Sequence, residues 1–223
     1  GSALADVVLS NSRSEGFNWD VSVKHFSSQK GVKDIAYDKS PFMTNELKLG
    51  GRWILKDYRL KAKAGVDWNS NSFYGLPASL LDSEFVIPDL EKNAYQRYFG
   101  GVEFDKIYNK EKSVFQKAAI NYHYFNNNWK TSEHLVSGKT KWLLPQKVED
   151  HVLGAELNAD FQSTNMDALA QKSNQLNVQF FPKAVGKMEW LNYTLGLNFN
   201  FYNTNSTVNA VSDPSFSTYF FPE

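Results

Sequence analysis

The sequence contains no cysteine, which excludes a disulfide framework and any metal site built on thiolates. Charge of one sign is missing too, since 24 Lys and Arg balance 24 Asp and Glu. Nucleic acid is therefore not an expected partner, because phosphate binding needs a clustered basic surface. No stretch approaches the roughly 18 to 20 apolar residues of a membrane-spanning helix, and the mean hydropathy is −0.48. A helical membrane protein is excluded, but a membrane β-barrel is not, because strands that alternate lipid-facing and lumen-facing residues look half hydrophobic in any window. There is also no nucleophile elbow and no phosphate-binding glycine loop. The four histidines, His25, His123, His134 and His151, show no ligand spacing. No catalytic residue, metal or cofactor is expected, and the chain does not read as an enzyme.

What is present is alternation with period two, over lengths near the roughly 9 to 11 residues of a membrane strand. Leu191, Tyr193, Leu195, Leu197, Phe199 and Phe201 share one face, against Asn192, Thr194, Gly196, Asn198 and Asn200 on the other. A second clear case is a hairpin. Leu47, Leu49, Gly51, Trp53 and Leu55 are followed, after Lys56 and Asp57, by Tyr58, Leu60, Ala62, Ala64, Val66 and Trp68. A two-residue loop there sets Leu55 opposite Tyr58, Trp53 opposite Leu60 and Leu49 opposite Ala64, so register and apolar face agree.

Weaker versions recur from Phe17 to Val23, Tyr98 to Phe104, Val114 to Tyr124, Val136 to Leu144, Leu153 to Phe161 and Leu176 to Phe180. Ala3 to Ser10 is a fainter candidate, and Phe216 to Phe221 begins a further strand. The expectation is an all-β, antiparallel, up-and-down transmembrane β-barrel of about ten to twelve strands, whole or as a fragment of a larger barrel. Gly1 and Ser2 read as a cloning scar, and residues 3–223 as one barrel domain.

The connections sort by length along the chain. Short ones are read at Ser12 to Gly16, Lys56 to Asp57, Tyr108 to Lys112, Pro145 to Asp150 and Pro182 to Lys187. Long polar ones are read at Ser27 to Thr44, Asn69 to Tyr95, Asn126 to Glu133, Gln162 to Lys172 and Asn203 to Pro214. Outer-membrane barrels have short turns at one end and longer loops at the other.

The face opposite the apolar one carries charge. Lys48, Arg52, Lys61, Lys63, Glu103 and Asp105 are the candidate lumen-facing residues, and Arg59, Lys117, Lys139, Lys141 and Glu156 extend the stripe. In the proposed register Arg52 lies opposite Lys61, which is costly unless water or opposite charge is near. Glu103 and Asp105 could supply that charge. The stripe reads either as a surface favouring anionic or polar solutes or, more plainly, as a ladder of wall ion pairs. The candidate lipid-facing residues are Leu191, Tyr193, Leu195, Leu197 and Phe199. Aromatic residues make up 15% of the chain, and those toward strand ends suit a membrane boundary. The loop aromatics Phe73, Tyr74 and Trp129 are candidate contacts for an external ligand, or simply pack their own loops.

Three segments carry a resemblance: Phe73-Tyr74-Gly75-Leu76-Pro77, Asn121-Tyr122-His123-Tyr124-Phe125-Asn126 and Tyr219-Phe220-Phe221-Pro222. With them the chain resembles the barrel portion of TonB-dependent receptor-like and porin-like outer-membrane proteins. The resemblance implies a bacterial outer-membrane location, lipid as a partner, and admission of a small solute or nutrient. It implies a plug domain and a TonB-type partner, outside this chain, in the receptor case. The competing expectation is a soluble all-β module of the bacterial envelope that binds lipid or carbohydrate.

Overall fold

The computed structural model describes residues 2–28, 41–71, 93–107, 114–148, 151–188, 191–208 and 211–222. Among the described residues it is all-β apart from one turn of 3-10 helix at Asp167–Leu169. Eleven antiparallel strands form a single sheet in chain order. They are β1 Ser2–Asn11, β2 Phe17–Ser28, β3 Phe42–Leu55, β4 Tyr58–Asn71, β5 Asn93–Lys106, β6 Phe115–Asn127, β7 Thr131–Val148, β8 His151–Met166, β9 Gln171–Met188, β10 Leu191–Val208 and β11 Val211–Pro222. The up-and-down arrangement follows from hairpin after hairpin. The pairings leave β1 and β11 as the two edges.

The β3–β4 hairpin has the expected register throughout, from Leu55 opposite Tyr58 to Leu49 opposite Ala64. Lys56, at φ 56°, starts its two-residue turn. Several connections fall elsewhere than expected. Segments 126–133, 162–172 and 203–214 contain mostly strand, leaving only residues 128–130, 167–170 and 209–210 between strands. These stretches are rich in Asn, Gln, Ser and Thr on both faces. Alternation vanishes where both faces are polar, although the backbone ladder continues. The long connections at that end are therefore 29–41 and 72–92 alone.

The two prolines read as turn signals also lie in strands. Pro145 falls where the β7–β8 register shifts between Leu143 and Lys147. Pro182 pairs with Ala155 of β8, and the β9–β10 register resumes only at Phe199 after Gly196. Proline lacks an N–H, so strands accommodate it at bulges and interruptions of the ladder. A further shift between Phe115 and Lys117 sets Phe115 opposite Trp142. The single face expected to hold both Val114 and Ala118 is broken there by one extra residue.

Among the described residues there is no second layer. Among the described residues no apolar side chain is buried, and the four buried side chains are Asn45, Asp67, Asn69 and Asn198. In β9 and β10 exposure alternates with sequence: Leu176, Phe180, Leu195, Leu197 and Phe201 are exposed, whereas Asn177, Gln179, Asn198, Asn200 and Tyr202 are not. The polar face of the sheet is the more enclosed one.

Candidate functional site

Strand pairing builds the polar face by carrying residues far apart in sequence into transverse rows. One row runs Asn18, Arg52, Lys61, Glu103, Ala119, Lys139, Asn158, Gln179 and Asn200, each opposite the next. The adjacent row toward the short-turn end contains Arg59, Asp105, Lys117, Lys141, Glu156 and Phe181. Arg52 lies opposite Lys61 as expected, and Glu103 sits on the other side of Lys61.

The charges resolve into two clusters. In the first, Lys61 Nζ donates to Glu103 Oε1 at 2.7 Å and lies 3.9 Å from Asp105, while Lys117 reaches Glu103 Oε2 at 2.5 Å. Arg59 grips Asp105 with two nitrogens, its Nε donating to Oδ1 at 3.1 Å. In the second cluster three ammonium groups share one carboxylate. Lys183, Lys139 and Lys141 stand 2.6, 3.5 and 3.7 Å from Glu156. Further along the face, Arg97 pairs with Asp67 at 2.8 Å and Lys48 with Glu46 at 2.7 Å.

Of the six residues read as lumen-facing, Arg52, Lys61, Lys63, Glu103 and Asp105 come together in neighbouring rows, and Lys48 stands apart with Glu46. Lys183 belongs to the same face, yet sequence reading assigned it to a turn because of Pro182. The signal was there in Phe181 and Lys183 flanking Pro182 at period two. Amides complete the surface: Asn158 donates to Gln179, and Gln179 to Asn198, both at 2.9 Å.

The opposite face carries an apolar band. Val23, Leu49, Val102, Ile120, Phe161, Leu176, Leu195 and Leu197 are all exposed, Leu195 at 60%. Aromatic rings flank it. Toward the short-turn end Phe17 stacks on Trp53 at 4.8 Å and Tyr58 on Phe104 at 4.9 Å. Toward the other end Tyr98 lies 6.0 Å from Tyr124, and the Tyr122 hydroxyl is 2.8 Å from His134 Nδ1. Of the residues expected to face lipid, Tyr193, Leu195, Leu197 and Phe199 lie on this face, with Phe199 stacked on Phe180. Leu191 begins β10, but its side chain lies outside the described residues.

An apolar hollow of about 700 Å³ interrupts the band where the ladder is irregular, with Trp142, Leu144, Leu153, Pro182, Leu195 and Leu197 among its lining. Trp129 occupies the β6–β7 turn and is half exposed. Its N–H donates to Asn127 Oδ1 at 3.1 Å, which holds the turn. Phe73 and Tyr74 lie outside the described residues. No metal-binding group of side chains occurs among the described residues.

Three comparisons with known proteins, by family model, by curated sequence and by solved structure, found no match.

Proposed function

We propose that this chain forms the wall of a bacterial outer-membrane β-barrel, serving as a transport passage or receptor for a small solute in the manner of porin-like or TonB-dependent receptor-like proteins. The observation that carries the reading is the placement of large apolar side chains on the more exposed face, while the charged face is the more enclosed. Water penalises that arrangement, since each exposed leucine forgoes part of the about 1.5–3 kcal/mol that full burial contributes. Lipid rewards it. Tyr58 and Trp68 on β4 are ten residues apart, about 33 Å along a strand. At the roughly 40° tilt of membrane strands this spans about 25 Å, the height of an outer-membrane apolar band.

In this reading Leu191, Tyr193, Leu195, Leu197 and Phe199 meet lipid, and Lys48, Arg52, Lys61, Lys63, Glu103 and Asp105 face the solute. Lipid tolerates no unpaired sheet edge, so β1 and β11 pair in the membrane with each other or with further strands. A plug domain and a TonB-type partner would accompany the receptor form. The chemistry is passage or binding, with no catalytic step.

Flotation with lipid vesicles tests the reading, combined with quenching of tryptophan fluorescence by brominated lipid. Flotation with strong quenching is expected. A monomer that is stable without detergent and keeps Leu195 and Leu197 in a dry interior would overturn it. Planar-bilayer conductance then separates an open pore from a receptor that conducts only after a plug is removed. The apolar hollow at Trp142, Leu153 and Leu197 favours a second reading, a soluble envelope module holding lipid there. Tight binding of a fatty acid by a detergent-free monomer is its test.

A further inference from the structure

We infer that Arg52 and Lys63 form an anion-binding site on the polar face, for the carboxylate or phosphate group of a small solute. This deepens the proposed passage or receptor function and rests on the polar face being the solute-facing wall. The site is a hollow of about 510 Å³ across β1 to β6. Its floor is made by residues with little or no side chain. Lys63 has Gly50 opposite it on one neighbouring strand and Gly101 on the other. With glycine on both sides, Lys63 meets no side chain from its immediate neighbours and stays exposed to solvent, flanked by residues from the next strands out. Asp20 leans over Gly50 and Asn121 over Gly101, so a Cβ on either glycine would strike those side chains.

The charges of the hollow do not balance. Its cations are Arg52, Lys61 and Lys63, and its carboxylates are Asp20 and Glu103. Glu103 is already held by Lys61 in its own row and by Lys117 in the adjacent one. Asp20 is thus the one carboxylate left for two cations, and neither Arg52 nor Lys63 has a carboxylate within ion-pair distance among the described residues. Arg52 instead donates to the Asn18 side-chain oxygen at 3.0 Å, with that amide turned to satisfy both partners.

Diagonal neighbours on paired strands lie about 7–8 Å apart at their backbones, which is the relation between Arg52 and Lys63. Two long side chains at that spacing can converge on one anionic group. The planar guanidinium offers paired donors to a carboxylate or phosphate, and the ammonium adds a point charge. Asp20 and Asn121 supply acceptors for hydroxyl groups on the same solute. Asp20 also opposes the anion's charge, which keeps binding weak enough for release.

The test is calorimetric binding of succinate and, separately, inorganic phosphate to the whole chain in neutral lipid vesicles, with glucose as the uncharged control. At least one anion is expected to bind where glucose does not. Lys63→Gln and Arg52→Gln should each weaken it by about tenfold, the effect of one charge-assisted hydrogen bond. Asp20→Asn should tighten binding, a change of sign that no misfolded variant would give. Added salt should weaken it. Binding of succinate alone or phosphate alone assigns the group. If neither anion binds a chain that floats with the vesicles, or if both glutamine variants bind as the parent does, the site is overturned and the membrane reading stands. A chain that fails to float yet binds an anion through Lys63 keeps the site and overturns that reading.

Discussion

The two faces of one sheet are built by opposite rules. On one, aliphatic and aromatic side chains stand exposed, with Ile120 at 56% and Leu195 at 60%. On the other, carboxylates, ammonium groups and amides crowd together, down to 8% at Asn198 and Asp67. A soluble domain inverts this, because burying apolar surface is the main favourable term of folding. Since both faces share one backbone ladder, the difference lies in side chains alone. The sheet carries its hydrophobic surface outward, and the medium touching that surface decides stability.

The sharpest way to break the contrast is a charge at mid-band. Leu197 sits between Tyr193 and Phe201 on β10, and Leu197→Arg should cost about 2–4 kcal/mol in lipid if it lies near the midplane. Urea unfolding from vesicles measures the loss, with Ser22→Arg on the polar face as the companion expected to change little. Equal costs would erase the distinction between the faces.

Next in size is the three-lysine cluster. Glu156 and Lys183 are 16% and 14% exposed at their side chains, so this pair is screened less than the others. Glu156→Gln leaves three ammonium groups without their shared carboxylate, and the expected loss is about 1.5–3 kcal/mol. Repeating the unfolding at high salt should narrow the gap, since screening relieves the repulsion among Lys139, Lys141 and Lys183. An unchanged midpoint would mean that this face is wet enough to need no pairing.

A third test sits where the ladder is irregular. A Cβ on Gly154 would lie 2.7 Å from the Trp142 carbonyl oxygen and 2.8 Å from Leu143 Cδ2. Backbone cannot swing aside as a side-chain tip can, so Gly154→Ala should cost about 1–3 kcal/mol by overpacking. The same unfolding assay reads it, and no loss would show that β7 and β8 slide apart easily beside the apolar hollow.

Much of this contrast was legible in the sequence, but the feature that located it was not. Alternation identified both faces of β2 to β10, and the Lys56-Asp57 turn fixed the β3–β4 register to the residue. Sequence offers Glu103 and Asp105 as residues that could neutralise part of the basic stripe, and their pairing to Lys61 and Arg59 needs the register across residues 72–92, which no local pattern encodes. The sorting of loops by length was misleading in the second half. Strands such as Asn203 to Val208 are polar on both sides, and hydrophobic period cannot see a ladder without an apolar face. Lys183 was missed for a related reason, since Pro182 was read as a turn although the strand absorbs it. Which face is enclosed depends on how the sheet curls, and that is a property of all eleven strands together.

The smallest expected effect lies outside both faces. Lys56 adopts φ 56° at the first position of its two-residue turn, a region that costs a residue with a Cβ about 1 kcal/mol and costs glycine little. Glycine also has more freedom to lose on folding, which offsets part of the gain. Lys56→Gly should therefore raise stability by only about 0.5 kcal/mol. Because the turn belongs to neither face, the gain should be the same in lipid vesicles and in detergent micelles, whereas the Leu197→Arg cost should depend on the bilayer. A Lys56→Gly gain that tracked the bilayer instead would place the turn within the apolar band, and the band's boundary at Tyr58 and Trp53 would have to move.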